Sequence, residues 1–199
     1  MLTSFIPDVK DEPYGPHVRN TFDLWLPESD KPTPLLLYVH GGGFTRGDKS
    51  SFSMPLKVEC LRSGIAFGAT NYRFATTAPY PAPMHDSARA VQTIRHNAAR
   101  WKIDPARIAA TGSSAGAGIS LWLAFHPDLI DPESDDPIAR QRTRVSAAVA
   151  TNAQCSYDPR FVRELVPGNA YDNVHLKLLA GVPEDTDWDT FEVDKELDA

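Results

Sequence analysis

The sequence predicts an α/β fold in which helices cover both faces of a mostly parallel central sheet. Three observations predict it. Short apolar runs bounded by turn residues recur at residues 35–39, 65–72, 108–111 and 145–151, as expected of strands buried on both faces. Between them lie segments with helical spacing of apolar side chains, at 52–62, 84–101 and 115–125, and this alternation calls for parallel strands joined by crossover helices. The third is a Gly-x-Ser-x-Gly motif, Gly112 to Gly116, set where the strand at 108–111 meets the helix at 115–125.

Taken in order, residues 1–19 carry Pro7, Pro13, Gly15 and Pro16 and leave room for one short edge strand near 9–14. Residues 21–26 alternate polar and large apolar side chains, which suits a half-buried antiparallel strand. A proline-rich turn at 27–34 precedes the run Leu35, Leu36, Leu37, Tyr38, Val39, which reads as a central strand. A helix over 52–62 closes at Ser63-Gly64, with Gly64 as its C-cap. After the strand at 65–72, a proline-broken loop at 76–83 leads into the helix at 84–101, where Ala88, Val91, Ile94, Ala98 and Trp101 share a face. Asp104-Pro105 separates that helix from the strand carrying the serine motif, and Asp86, near the helix start, reads as a cap rather than a catalytic acid. Residues 145–151 form a further buried strand, the sixth. Beyond it the pattern weakens to two short helices, at 161–165 and 173–179, and an acidic stretch from Glu184 with only Trp188 and Phe191 to pack. The chain reads as one domain, 1–199, in which 156–199 is a cap-like or irregular C-terminal segment.

Composition narrows the function. A chain of 199 residues, 42% hydrophobic, supports a single substantial core. Its net charge is −6, the acid is concentrated at 128–136 and 184–198, and no basic cluster tracks a helix or loop, which excludes nucleic acid as the expected partner. Cys60 and Cys155 lie far apart without Cys or His neighbours, so they read as buried free thiols rather than a disulfide or metal site, and no cofactor is called for. The N-terminus lacks the basic and apolar segments of a secretory signal, and no run approaches the ~18 apolar residues of a membrane span. The expectation is a cytoplasmic chain without a membrane span, or a secreted one if its true start lies upstream.

The chemistry concentrates in two motifs. A serine at the tip of a strand-to-helix turn needs strained backbone, with bulk-free neighbours two positions before and after it. Gly112 and Gly116 meet that need around Ser114. By composition alone, such a motif arises in a chain this long about 5% of the time, so its strand and helix flanks carry the inference. The second motif, His40-Gly41-Gly42-Gly43, comes directly after the strand at 35–39. Three glycines serve any tight loop, but beside a nucleophile elbow their unobstructed amides suit an oxyanion hole.

Together, residues 38–44, Asn71-Tyr72-Arg73, residues 81–86 and residues 104–118 resemble the hormone-sensitive-lipase-like branch of the α/β-hydrolase superfamily, its esterases and lipases, over about residues 10–155. The resemblance implies an α/β-hydrolase fold with Ser114 as nucleophile and the amides of Gly42, Gly43 and Ala115 as the oxyanion hole. It also implies that His40 is a structural loop residue and not the base. Ala115 is favoured independently, because a helix N-terminus offers unpaired N–H groups to an anion. The superfamily's chain order is Ser, then Asp or Glu, then His. No strand after 145–151 is recognisable here, so the fold reads as truncated after the sixth strand. Asp158 and His175 keep the required order; the alternative makes Asp158-Pro159 a turn and His175 a surface residue of a cap-like helix. His17, His96 and His126 read as solvated surface residues, and His85 precedes the serine.

The implied activity is a serine carboxylic-ester hydrolase that passes through an acyl-enzyme on a small-molecule ester substrate. Two alternatives stay open: a catalytically inactive hydrolase-fold binding module, and an amide or peptide hydrolase, since the same acyl chemistry serves both bonds. A strand at 145–151 without an outer neighbour is an unpaired apolar edge through which the chain can self-associate.

Overall fold

The computed structural model describes residues 6–154 and 156–188. Its strands are β1 (Val9–Pro13), β2 (Thr21–Trp25), β3 (Thr33–Val39), β4 (Ala66–Thr70), β5 (Ile103–Ser113) and β6 (Ala147–Thr151), and its helices α1 (Met54–Arg62), α2 (Ala82–His96), α3 (Ala115–Phe125), α4 (Pro159–Leu165) and α5 (Val174–Ala180). The strands form one sheet in the order β1-β2-β4-β3-β5-β6. β2 pairs antiparallel with both β1 and β4, whereas β4, β3, β5 and β6 run parallel to one another.

Alternation along β3 divides the core in two. Leu35, Leu37 and Val39 point into the larger cluster, with Met84, Val91 and Ile94 from α2 and Ile119 and Leu123 from α3. Leu36 and Tyr38 face the other way, toward Trp25, Phe67 and the α1 residues Cys60 and Leu61. Helices therefore cover both faces, because each face of a parallel sheet must be taken out of water. Each fully buried leucine or isoleucine in these layers contributes about 1.5–3 kcal/mol of transfer free energy.

Several boundaries differ from the sequence reading. Helix α1 starts at Met54 under a Ser53 cap, while Phe52 leaves the helix and packs edge-on to Trp25 and Phe67. Its C-cap is Ser63, and Gly64 lies one position beyond with φ +70°. Helix α2 ends at His96, yet Ala98 and Trp101 stay buried in the turns after it. Asp104 and Pro105 do not separate helix from strand. They lie inside β5, where the register with β3 shifts between Thr33–Ile103 and Leu35–Ile108, an irregularity that tolerates a proline with no N–H to donate. β6 is not buried: among the described residues it is the sheet edge, and Val149 is 60% exposed. Asp86 caps nothing, since α2 begins at a Pro81 cap without a side-chain bond.

The C-terminal segment is anchored where α5 meets the 76–83 loop. Leu179 is buried in the main cluster, and the Tyr80 amide donates to its carbonyl at 2.7 Å. Trp188 is buried, whereas Cys155, Phe191 and the acidic stretch beyond 188 lie outside the described residues. Cys60 is a buried free thiol. No helix among the described residues is long and apolar enough to cross a membrane.

Candidate active site

Sheet register brings the two motifs together. β3 and β5 are parallel neighbours with Val39 opposite Gly112, so the loop after one strand and the turn after the other leave the same sheet end side by side. Ser114 occupies the turn between β5 and α3 at φ +55°, ψ −124°, a region that costs a non-glycine residue about 1–3 kcal/mol. Its amide donates to the Thr151 carbonyl of β6 at 3.0 Å, which helps hold the strained turn, and its side chain makes no capping bond to the helix it opens.

The flanking glycines act sterically. A Cβ on Gly116 would overlap the Val39 carbonyl oxygen, and one on Gly112 would come within 2.5 Å of both that oxygen and the Gly116 backbone. Strand and helix thus touch where the motif requires no side chain. Ala115 is the first residue of α3, where an N–H has no carbonyl one turn earlier to bond within the helix.

The glycine loop is folded on the Gly42 carbonyl, which accepts from the Thr45 and Arg46 amides at 3.1 and 3.2 Å. Gly42 and Gly43 both have positive φ, +113° and +59°. Among the described residues neither of their amides donates to a backbone carbonyl. Loop and elbow are in contact: a Cβ on Gly41 would lie 3.6 Å from that of Ser114. The start of the glycine loop thus lies against Ser114, although one motif comes after β3 and the other after β5.

His40 is fully buried beneath this loop. Its ring stacks on Tyr72 at 4.2 Å, and the Tyr72 hydroxyl donates to the His40 carbonyl at 2.9 Å. Nε2 lies 3.0 Å from Arg19 Nη2, which can only donate, so Nε2 accepts and the proton sits on Nδ1, 2.7 Å from the Gly41 carbonyl. Burial pushes the imidazole pKa down to about 4, with a lesser push from the positive charge of Arg19, against the raising effects of the Gly41 bond and Asp48. The ring is therefore neutral near pH 7, with both nitrogens engaged.

Arg19, Asn71 and Asp48 complete the layer behind the loop. The Arg19 guanidinium also donates to the carbonyls of Tyr72 and Gly47 and to Asn71 Oδ1, and lies 3.7 Å above the Phe74 ring. Asn71 receives the Lys49 amide and donates to Asp48. Burial works against the Asp48 charge, but the Ser50 amide and the Asn71 side chain overcome it and hold the carboxyl at about 2. Asn71 belongs to a segment that carries the family resemblance, but neither Arg19 nor Asp48 stood out in the sequence, because single polar residues in loops carry no periodicity. Asp86, read as a cap, is instead buried and accepts from Asn20 and from the amide and guanidinium of the half-buried Arg73.

The two remaining site residues fall differently. His175, near the start of α5, lies against the glycine loop: a Cβ on Gly43 would sit 2.9 Å from its ring, and its Nδ1 is 3.4 Å from the Thr45 hydroxyl. The Asp158 carboxylate caps α4 and is gripped through both oxygens by Arg160. Of the other histidines, His96 is exposed as expected, but His17 and His126 are half-buried, one accepting the Arg19 amide and one stacked on Trp122. One helical turn beyond Ser114, at Gly118, begins a cavity of about 660 Å³ walled by Met84, Trp122, Phe125, Tyr157 and Phe161.

Comparison with known proteins meets this geometry. Residues 22–155 match the BD-FAE family model, more than half of the chain. The chain belongs to the BD-FAE family. Among curated proteins, this BD-FAE chain is 34% identical over 100 residues to carboxylesterase NlhH of Mycobacterium tuberculosis, covering 50% of the chain and 31% of that protein. It is 32% identical over 142 residues to esterase LipQ of the same species, 69% of the chain and 33% of LipQ. The matched stretches thus span about a third of the length of these relatives. Among solved structures, an acetyl ester-xyloside bifunctional hydrolase from Caldicellulosiruptor lactoaceticus superposes with a TM-score of 0.70 at 28% identity, over 92% of this chain and 65% of that one. The BD-FAE chain has an α/β-hydrolase-like fold.

Proposed function

We propose that this chain is a serine carboxylic-ester hydrolase that acts through an acyl-enzyme on Ser114, its substrate a small-molecule ester. The observation that carries the reading is the strained Ser114 turn, φ +55°, set beside a glycine loop whose Gly42 and Gly43 amides donate to no backbone carbonyl among the described residues. The nucleophile adds to the ester carbonyl, and the oxygen that gains negative charge is met by the amides of Gly42, Gly43 and Ala115. Such donors gain most in the transition state, where one of them is worth about 10²–10³ in rate. His175 lies against Gly43 and is the in-chain candidate for the base that takes the Ser114 proton and later delivers it to the leaving alcohol. Asp158 is the in-chain candidate for the acid that orients it. The carboxylesterase and esterase names of the relatives support ester over amide substrates. The exposed β6 edge supports self-association of the chain.

A second reading, a hydrolase-fold binding module without turnover, is favoured by one observation: Arg160 grips both oxygens of the Asp158 carboxylate. A fluorophosphonate probe and a short-chain aryl ester separate the two. The expected result is a stoichiometric adduct mapped to Ser114 by mass spectrometry, together with ester turnover, both abolished in Ser114→Ala. An adduct without turnover supports the binding module. No adduct at Ser114 overturns the nucleophile assignment.

A further inference from the structure

We propose that Arg19, from the segment between β1 and β2, is the positioning residue of the oxyanion loop, stapling its two ends together and fixing the tautomer of His40. The inference rests on the hydrolase reading and extends it to a residue outside both motifs.

One nitrogen of Arg19, Nη2, reaches both ends of the loop. It donates to His40 Nε2 at 3.0 Å, where the chain leaves β3, and to the Gly47 carbonyl at 3.1 Å, where the loop ends. Nε donates to the Tyr72 carbonyl at 2.8 Å, and the guanidinium plane rests on Phe74, so the side chain is itself held from the β4 side. A planar group with several fixed donors can serve acceptors this divergent, whereas a lysine ammonium is a point donor. The loop between these two ends contains Gly42 and Gly43.

The consequence passes through His40. Because a guanidinium cannot accept, His40 Nε2 must, and the Nδ1 proton is then committed to the Gly41 carbonyl at 2.7 Å. That fixes the peptide between Gly41 and Gly42, whose N–H is one of the candidate oxyanion donors. Crowding leaves little slack, since a Cβ on Gly47 would come within 2.5 Å of both His40 Nδ1 and the Gly41 oxygen. Three charged or titratable groups face the imidazole: Arg19 from the N-terminal segment, Tyr72 stacked on it after β4, and Asp48 beyond the loop. With Arg19 removed, Nε2 loses its donor, the ring is free to exchange tautomers, and the Gly42 amide loses its aim. Displacements on the order of 1 Å in such a site cost about 10²-fold in rate.

The test compares the whole chain with Arg19→Met and Arg19→Lys, using ¹⁵N-histidine spectra for the His40 tautomer and fluorophosphonate labelling for the rate at Ser114. In the unaltered chain His40 is expected to keep its proton on Nδ1 and to stay neutral at about pH 5, between its lowered pKa and the ordinary ~6.5. In R19M both tautomers should appear, and labelling should slow about tenfold or more. R19K should recover part of the rate. A folded R19M with an unchanged tautomer, or with a changed tautomer and unaltered labelling rate, overturns the proposal. If R19M does not fold, R19K is judged on rate alone, because a lysine also donates to Nε2 and keeps the tautomer: labelling as fast as in the unaltered chain overturns the proposal. If the unaltered chain fails to label, the hydrolase reading falls, and the tautomer spectra alone decide whether Arg19 governs His40.

Discussion

At the scale of single residues, the site depends on places where a side chain is forbidden and one where strain is accepted. Ser114 sits at positive φ because β5 must turn into α3 within one residue, and that turn closes only if Gly112 and Gly116 carry no Cβ. The atom that a Cβ on Gly116 would overlap is backbone, the Val39 carbonyl oxygen, so no rotamer change relieves it. Gly116→Ala is expected to destabilise the chain by about 1–3 kcal/mol or more, read as a lower urea midpoint. An unchanged midpoint would show that strand and helix do not meet there. His40 illustrates the opposite constraint, a side chain needed for its two nitrogens rather than for its charge.

Elements decide what the residues meet. β3 leads into the glycine loop and β5 into the Ser114 turn, and only their parallel pairing puts the two side by side. β6 supports the elbow through the Thr151 carbonyl, yet it is an edge strand whose Val149 side chain is largely exposed. An open edge of unpaired backbone groups with small apolar side chains is a template for pairing with another copy. Sedimentation should therefore detect concentration-dependent association, and Val149→Lys should weaken it by placing a charge on the outer strand. A chain that stays monomeric at high concentration would argue against the edge as an interface.

For the molecule as a whole, pH reports on the layer behind the loop. The folded pKa of His40 is about 4, below the ordinary ~6.5, so between these values the unfolded chain binds more protons than the folded one. Stability is thus lost as pH falls through this window, on the order of 3 kcal/mol across all of it. Asp48, held at about 2, adds a second loss as pH falls from ~4 toward 2. The melting temperature is expected to drop between about pH 6.5 and 4, and His40→Gln should flatten that slope; an equal slope in both chains would mean that His40 titrates freely.

Much of the architecture is written in local pattern. Turn-bounded apolar runs and helical periodicity suffice for the mostly parallel sheet with helices on both faces, and α3 runs over 115–125 as its sequence predicts, because strand and helix periods are properties of neighbouring residues. Ser114 and the His40 glycine loop are legible for the same reason, each being a contiguous motif. Contacts between distant segments are not. That β6 is an edge follows from strand order, which periodicity does not encode. Asp86 resembles a cap in sequence and becomes the buried half of an ion pair because the chain after β4 delivers Arg73 to it. Arg19, more than 20 residues before Gly42, enters the site through a hydrogen bond to His40 that exists only once the segment before β2 folds over the end of β3. Sequence alone determined the elements and the nucleophile motif, since both are local; the tertiary structure decided which groups surround them, since hydrogen bonds and burial depend on proximity in space.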